Sequence, residues 1–245
     1  MDMRLNIPTE LNIACSKCLQ YSQCMPTGLN EYETLRMDSL VTQRVRIKKG
    51  NDLYRNNFSD KSMYIVRAGC FKTVISQHDG RDQVVGFHMS GESLGLGAEQ
   101  SNGANCKISA LEDSVVCVIP FVKVEELANA TNDLHSHIRH LFRVEIKREN
   151  SVMLFLGSMN SEERVATFLL NLSLSHEARG FSGTNINLKM SRYDIASYLG
   201  IKHETVSRTL AKFIKGNLIN LNLRLLKIVN FKALHSIAND GILVD

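Results

Sequence analysis

Short apolar runs separated by glycines fill the first half of this sequence and restrict its fold most strongly. Four such runs lie between Val41 and Phe121, and three of them end at Gly50, Gly69 and Gly91. Strands at this spacing with glycine turns predict a small β-barrel or jelly roll. Glycine suits such turns because it adopts a positive φ without steric cost. The runs are residues 44–47, 63–66, 84–87 and 114–119.

A long uninterrupted helical pattern follows the strands. No proline or glycine occurs from Asp133 to Leu156, whereas the only earlier helical pattern is the short one from Asn30 to Leu40. Apolar residues recur at three- and four-residue steps along it, and Glu149 falls on the same seam. A stripe on so long a helix must pack either against a second copy of the helix or against its own barrel. The stripe comprises Ile138, Phe142, Ile146, Met153 and Leu156.

The last third of the chain predicts further helices. Gly157–Ala178 has an apolar face and an acidic first turn, which suits the helix dipole. Ser191, with a carboxylate three residues later, reads as the cap of a helix that breaks at Gly200. A second helix is predicted over His203–Lys215. Two short helices joined by a glycine turn make a helix-turn-helix.

The second of these helices has two contrasting faces. The predicted buried side consists of Val206, Leu210, Phe213 and Ile214. Glu204, Ser207 and Arg208 lie together on the opposite side, at i, i+3 and i+4. Arginine can read guanine, glutamate can accept from cytosine, and serine can contact either a base edge or a phosphate. The same trio would also suit an ordinary solvated helix face. The hairpin predicted from residues 218–221 and 225–229 favours base reading, because it completes a winged helix-turn-helix.

Cysteine spacing provides the clearest chemical signal. Cys15, Cys18 and Cys24 form C-x2-C-x5-C, and Cys117 follows about a hundred residues later. Thiols this close together indicate one shared partner that needs several thiolates. An iron–sulfur cluster needs four, and one of them often comes from a distant strand. Zinc also accepts four thiolates, but usually from paired C-x2-4-C knuckles, and only one such pair is present.

Composition restricts the remaining choices. The 245 residues suffice for one large or two ordinary domains. The N-terminus lacks the features of a signal peptide, and no apolar run approaches the ~18–20 residues that cross a bilayer. We therefore expect a cytoplasmic protein with reduced thiols and no membrane partner. The net charge of +4 permits a nucleic-acid partner without requiring one. No nucleophile–base pair or nucleotide loop indicates an enzyme.

Four motifs together resemble the CRP/FNR superfamily, and most closely its FNR branch, the fumarate and nitrate reduction regulators. The resemblance covers the chain from about Cys15 to Leu234, and the combination of motifs is highly specific. The motifs are the C-x2-C-x5-C followed by Pro26, residues 114–121, residues 86–88 with 91–92, and residues 194–200 with 204–208.

The resemblance implies a function for each motif. In that family the matching cysteines hold a [4Fe–4S] cluster that oxygen destroys, and the intact cluster favours a DNA-binding homodimer. It implies control of anaerobic gene expression through RNA polymerase, at a palindrome resembling TTGAT-N4-ATCAA. The implied cluster ligands are Cys15, Cys18, Cys24 and Cys117. The implied DNA contacts are His203, Glu204, Thr205, Ser207 and Arg208. The implied dimer contacts are Ile146, Glu149 and Met153. Repulsion between two Glu149 carboxylates would hold the cluster-free protein apart, unless Arg143 or Lys147 on the same helix neutralises them.

The predicted fold is therefore α+β, with a β-roll sensor domain, a long dimerisation helix and a winged helix-turn-helix. The domain boundaries that we predict are residues 1–29 for the cysteine segment, 30–131 for the β-roll, 132–157 for the helix and 158–245 for the DNA-binding domain.

Several departures and alternatives bear on this interpretation. Residues 91–98 are followed by Glu99 and Gln100, where cyclic-nucleotide-binding relatives have an Arg-Ser pair, so a cyclic phosphate would lack its cation. Lys202 stands where relatives often have a threonine cap, and lysine cannot accept the first amide hydrogens. A haem sensor using a histidine is disfavoured, because a lone histidine is more often a hydrogen-bonded polar residue. Two further alternatives are a nitric oxide or redox-stress sensor using the same cluster, and an iron–sulfur electron-transfer protein.

Overall fold

The chain forms two compact units in the computed structural model. One unit comprises Met1–Arg81 and Phe87–Val144, and the other comprises Asp82–Gly86 and Glu145–Asp245. The structure describes residues 14–24, 31–53, 62–95, 105–128 and 132–238. Within these ranges no helix is long and apolar enough to cross a membrane.

Seven strands form two sheets in the described residues of the first half of the chain. One sheet has the order β1-β7-β2-β5 and the other has the order β4-β3-β6. All four strand runs predicted from the sequence are present, each extended by one to four residues. The strands are β1 (Gln43–Ile47), β2 (Ser62–Ala68), β3 (Cys70–Ser76), β4 (Asp82–Met89), β5 (Ser93–Leu94), β6 (Asn105–Ala110) and β7 (Ser114–Pro120).

Short helices flank these sheets. A 3-10 helix (Cys15–Lys17) is followed by α1 (Tyr21–Cys24) and α2 (Glu31–Leu40), and α3 (Phe121–Ala128) continues directly from β7. The predicted helix from Asn30 to Leu40 corresponds to α2, although Asn30 itself lies outside the described residues.

Strand β7 contributes to two separate apolar cores, because successive side chains of a strand point to opposite faces. Val116 and Val118 belong to the core between the two sheets. Cys117 and Ile119 belong to a second core on the other face, together with Cys15. The sequence alternation around Cys117 therefore directs its thiol away from the sandwich interior and toward the N-terminal cysteine segment.

The long helix α4 spans Asn132–Ser158, and α5 spans Ser161–Glu177. The sequence prediction that a new helix begins at Gly157 is wrong, because α4 continues through Gly157 and Ser158. The break falls instead at Asn160, whose side chain accepts hydrogen bonds from the Glu162 and Glu163 backbone amides. The Glu163 carboxylate in turn accepts from the Asn160 amide, which completes a capping box.

The C-terminal region is a winged helix-turn-helix. Helices α6 (Arg192–Leu199) and α7 (His203–Lys215) form the motif, and α8 (Phe231–Ile237) packs against α5. Strands β8 (Asn185–Asn187), β9 (Ile219–Asn222) and β10 (Leu225–Ile228) pair in the order β8-β10-β9.

Local signals set the bounds of the first of these helices. Ser191 caps α6 and shares a capping box with Asp194, as the sequence predicts. Gly200 ends α6 in the left-handed conformation, with φ of 62°. A Cβ at Gly200 would also meet the end of the Leu156 side chain, which can move aside, so the positive φ is the main reason for glycine there.

The tip of the wing carries a strained residue. Leu223 has a φ of 54° and is 92% exposed. Asn222 pairs with Leu225, so Leu223 is the first residue of a two-residue hairpin loop. A positive φ at this position is normally assigned to glycine. The wing therefore carries an unfavourable backbone conformation at a side chain that buries almost nothing.

Replacing Leu223 by glycine is expected to stabilise the protein. Relief of the left-handed conformation contributes about 1–2 kcal/mol, and the greater flexibility of unfolded glycine offsets about 0.5–1 kcal/mol of it. Thermal unfolding should therefore show an increased Tm. Leu225→Gly is the matched control: Leu225 lies in β10 without a positive φ, so that substitution should lower Tm. A decrease in both variants would show that the Leu223 side chain contributes to folding.

Candidate functional site

The four predicted cluster ligands come from three elements of the first unit. Cys15 begins the 3-10 helix, Cys18 follows its end, and Cys24 ends α1. Backbone hydrogen bonds fold this segment tightly, with the Cys18 amide 2.9 Å from the Cys15 carbonyl oxygen. Cys117 lies in the middle of β7, between β1 and β2. All four thiols are free of disulfides.

Three of these thiols gather at one apolar cluster, which we call the cysteine pocket, and Cys18 is near enough for its charge to act on Cys24 and Cys117. Cys15 and Cys117 are buried in it, and Cys24 packs against its edge. Its walls come from α2, β2, β7, α3 and α4, so the pocket joins residues that are far apart in sequence. The other buried members are Leu40, Met63, Ile65, Ile119 and Val124, and the flanking members are Tyr21, Val41, Phe121 and Leu141.

Burial dominates the acid–base behaviour of the thiols. It raises the pKa of Cys15 to about 12 and the pKa of Cys24 to about 12, and it also raises the pKa of Cys117. The charge of Cys18 contributes to the increases at Cys24 and Cys117, and that of Cys117 contributes at Cys15. The four thiols are therefore close enough to influence one another. Metal binding at such thiols must displace their protons.

A carboxylate and a guanidinium line one side of the cysteine pocket. Asp38 Oδ1 accepts a hydrogen bond from the Cys15 backbone amide at 3.0 Å and another from Arg44 Nη2 at 3.1 Å. Arg44 Nη2 also lies 3.9 Å from Cys15 Sγ. Burial alone would raise the pKa of Asp38, but the hydrogen bonds from Cys15 and the charge of Arg44 lower it. Sequence reasoning missed both residues, because neither belongs to a recognisable motif.

The remaining cysteines lie elsewhere. Cys70 is buried at the start of β3, and Cys106 is half-buried in β6 opposite Ile75. Among the described residues, no group of three or more His, Cys, Asp or Glu side chains is arranged so that it could hold a metal ion as it stands.

The second candidate site is the exposed face of α7. Val206, Leu210 and Phe213 are buried, as predicted, but Ile214 is 43% exposed, so its predicted burial is wrong. Successive helical residues are about 100° apart, which puts Ile214 about 80° around the helix from Val206, at the edge of the apolar face. The opposite face presents Glu204 and Arg208 to solvent, with Ser207 half-buried beside them.

Hydrogen bonds order the side chains on this face. Arg208 Nη2 donates to Thr205 Oγ1 at 3.3 Å. The Glu204 carboxylate lies 3.3 Å from His203 Nδ1. Lys202 precedes the helix and makes no side-chain cap, as the sequence predicts.

Two residues of α6 join this face, and sequence reasoning assigned them only to a helix start. Arg192 Nη1 donates to Ser207 Oγ at 3.2 Å. The Tyr193 ring stacks on His203 with centroids 4.2 Å apart, and Tyr193 is largely exposed. The sequence signal that could have identified Arg192 and Tyr193 is their position immediately after the Ser191 cap. In a helix-turn-helix, the first turn of α6 lies beside the first turns of α7.

Helix α4 presents several large apolar side chains that are substantially exposed. Ile146 is 55% exposed and Met153 is 63% exposed. Phe142 and Leu156 are exposed on the same stripe, whereas Leu141 packs against the cysteine pocket. The side chains of Ile138 and Glu149 lie outside the described residues, although both residues belong to α4. Leu141 therefore packs within the first unit, whereas Ile146 and Met153 are exposed in the second.

Comparison with known proteins identifies the family. Residues 163–237 match the Crp-like helix-turn-helix domain, and residues 44–131 match the cyclic nucleotide-binding domain. The chain is 37% identical over 234 residues to the transcriptional regulatory protein btr of Bordetella pertussis, covering 95% of this chain and 96% of that protein. It is 35% identical over 226 residues to the fumarate and nitrate reduction regulatory protein of Escherichia coli K12, covering 92% and 90%. The chain belongs to the Crp/Fnr family of transcriptional regulators.

A solved Crp/Fnr structure has the same architecture. FixK2 from Bradyrhizobium japonicum superposes with a TM-score of 0.69 at 27% identity, covering 80% of this chain and 96% of that chain. The predicted α+β fold, with its β-roll and winged helix-turn-helix, is confirmed. The residues on which we based the expectation of no cyclic nucleotide, Glu99 and Gln100, lie outside the described residues, so that expectation stays a prediction.

Proposed function

We propose that this Crp/Fnr regulator senses oxygen through a [4Fe–4S] cluster held by Cys15, Cys18, Cys24 and Cys117. The observation that carries the proposal is the gathering of Cys117 with the N-terminal thiols around one apolar pocket. Similarity to fumarate and nitrate reduction regulatory proteins over nine-tenths of the chain supports the same assignment.

The donor set fits this cofactor. Four thiols suit an iron–sulfur cluster, and an apolar wall limits the access of water. The nearby Asp38 carboxylate already accepts hydrogen bonds from the Cys15 amide and from Arg44. When bound, the cluster would supply a centre that oxidants attack. The protein's own contribution is to keep the thiols in one dry pocket and to bring a strand residue against the N-terminal segment. Loss of the cluster would release that segment from β7.

The output of the sensor is binding to double-stranded DNA. Arg208, Glu204 and Ser207 would reach base edges in the major groove from the exposed face of α7. Thr205 and His203 lie beside them and would contact the same half-site. In a dimer the two copies of α7 would enter grooves about 34 Å apart, which suits a palindrome resembling TTGAT-N4-ATCAA. Recruitment of RNA polymerase at such sites would control anaerobic gene expression. The protein is a regulator and not an enzyme.

The dimer would form through the open stripe of α4. Ile146 and Met153 are seven residues apart and both exposed, which is the repeat of a coiled-coil seam. Glu149 lies between them in the sequence of α4. Two facing carboxylates in such a seam would repel each other, and this repulsion would disfavour dimerisation of the cluster-free protein.

Anaerobic purification tests the proposed function directly. The purified protein should contain about four iron atoms and about four sulfides per chain, with a Mössbauer spectrum of a [4Fe–4S] cluster. Exposure to air should destroy that spectrum and weaken binding to the palindrome in parallel. A colourless zinc-bound protein without sulfide would contradict the proposal, since zinc has no redox chemistry. Exposure to nitric oxide in place of air tests the redox-stress alternative.

Replacing Glu149 by alanine is expected to strengthen dimerisation of the cluster-free protein. Removing the repulsive pair should tighten the monomer–dimer equilibrium by about tenfold, equivalent to ~1.4 kcal/mol. Sedimentation equilibrium in air measures this constant. Glu145→Ala is the matched control: it removes the same charge from α4, but Glu145 already pairs with Arg148 at 3.2 Å. An identical constant in the wild type and Glu149→Ala would remove Glu149 from the mechanism.

A further inference from the structure

A buried cation faces the cysteine pocket. Only 11% of the Arg44 side chain is exposed, although its strand lies at the edge of the four-stranded sheet. Burying a charge is costly unless it is paired and hydrogen-bonded. Asp38 supplies one partner, yet the same guanidinium nitrogen that binds Asp38 also points at a cysteine sulfur. The position of Arg44 therefore needs an explanation beyond an ordinary ion pair.

The contacts of Arg44 join two of the proposed ligands. Asp38 Oδ1 accepts from the Cys15 amide at 3.0 Å and from Arg44 Nη2 at 3.1 Å, which fixes the guanidinium beside Cys15. Arg44 Nη2 then lies 3.9 Å from Cys15 Sγ. In the β1–β7 register, Arg44 is directly opposite Cys117. Opposed residues of an antiparallel pair point to the same face, so one arginine neighbours both thiols.

A bound cluster would need such a cation. Four thiolates outnumber the positive charge of an oxidised cluster core, so the whole assembly is an anion. The apolar side chains of Leu40, Met63 and Ile65 line the pocket and cannot compensate a negative charge, so compensation comes from cations: Arg44, and Arg67, whose charge also acts on Cys117. Hydrogen bonds to the ligand sulfurs and local charge also set the reduction potential of an iron–sulfur cluster.

We propose that Arg44, held in place by Asp38, is the charge-compensating partner of the cluster and raises its reduction potential. This inference rests on the proposed function, because it requires a cluster at the four cysteines. The arginine donates to the Cys15 sulfur and sits beside the Cys117 sulfur. An added electron is easier to accommodate beside a fixed cation, so the charge favours the reduced cluster. Arg44 is a positioning and tuning residue that binds no iron.

The test is a dye-mediated anaerobic redox titration of the reconstituted protein. Arg44→Gln should shift the midpoint potential to more negative values by about 59 mV, which corresponds to a tenfold change for one electron. Arg46→Gln is the matched control, because Arg46 lies on the same face of β1 two residues along but is exposed. Arg46→Gln removes the same charge as Arg44→Gln, but water should screen most of the effect of Arg46 on the midpoint potential. Arg44→Lys should retain the wild-type potential more closely than Arg44→Gln does.

The outcomes separate this inference from the proposed function. A wild-type protein that assembles no cluster overturns both. A wild-type cluster whose potential moves equally in Arg44→Gln and Arg46→Gln overturns only the role of Arg44. If Arg44→Gln folds by circular dichroism but loads no iron, Arg44→Lys decides: recovery of loading supports the need for a cation, and equal failure shows that Arg44 acts through packing alone.

Discussion

Replacing Cys117 by serine should abolish the anaerobic cluster and, with it, tight binding to the palindrome. Cys117 is the only proposed ligand that comes from the sheet, whereas the other three come from one N-terminal segment. Its loss leaves one iron open to solvent and removes the link between that segment and β7. Iron and sulfide content, the Mössbauer spectrum and DNA binding without oxygen measure the effect. Serine has nearly the same shape as cysteine, so circular dichroism of the apo-protein should be unchanged.

Cys106→Ser provides the matched control for the cysteine series. Cys106 is half-buried in β6, in the sheet that does not contain β7. Its replacement should leave iron content and the spectrum intact, and Cys70→Ser should do the same. Cys15→Ser, Cys18→Ser and Cys24→Ser should each reproduce the loss seen in Cys117→Ser. Loss of the cluster in Cys106→Ser with retention in Cys117→Ser would show that the ligand assignment is wrong.

Elements with strong local signals could be predicted from the sequence. Helix α7 has the bounds expected, His203–Lys215, since Gly200 before it and Gly216 after it limit the helix on both sides. Helix α6 begins after Ser191 because a serine and a carboxylate three residues apart satisfy each other's backbone amides. The predicted strands were confirmed because alternation and glycine turns are short-range properties of the chain.

Errors arose where the pattern was ambiguous. Gly157 was assigned to the start of a helix, yet a single glycine does not end a helix that has no cap at that point. Helix α5 is instead capped by Asn160 with Glu163, which is an equally local sequence signal. The sequence predicts Ile214 on the buried face of α7, but it lies at the edge of that face and is partly exposed. The centre of the buried face consists of Val206, Leu210 and Phe213.

The candidate site could be predicted by residue type but not by arrangement. Spacing alone indicated that Cys15, Cys18 and Cys24 share a partner, and the family resemblance supplied Cys117. Nothing in the sequence indicated the contact of Asp38 and Arg44 with Cys15, because those residues come from a helix and a strand that meet only in the folded unit. Contacts between distant elements have no period in the sequence, so pattern reasoning cannot find them.

Arg208→Ala should weaken binding to the specific palindrome by about 1–3 kcal/mol and relax discrimination at one G·C pair. The Arg208 side chain is exposed on the face of α7 that carries Glu204 and Ser207, and its hydrogen bond to Thr205 limits the orientations that it samples. An arginine ordered before binding loses less conformational freedom on reaching guanine. Binding of the cluster-loaded dimer to the palindrome, to its single-base variants and to random DNA measures the effect.

Lys212 offers a control on the same helix. It lies one turn beyond Arg208, and its ammonium group pairs with the Glu162 carboxylate at 2.6 Å. Lys212→Ala removes the same charge from α7 without removing a base contact, so it should leave the preference for the palindrome over its variants unchanged.

The comparison between specific and random DNA decides what Arg208 does. A base-reading arginine contributes mainly to the specific complex, because random sequence rarely presents guanine at the contacted position. Its loss should therefore reduce the ratio of specific to random affinity by about five- to 150-fold, while random binding changes little. A phosphate-contacting arginine would weaken both complexes alike and reduce the salt dependence of binding by about one ion. Equal losses on both DNAs would assign Arg208 to positioning, and base reading by α7 would then depend on Glu204 and Ser207.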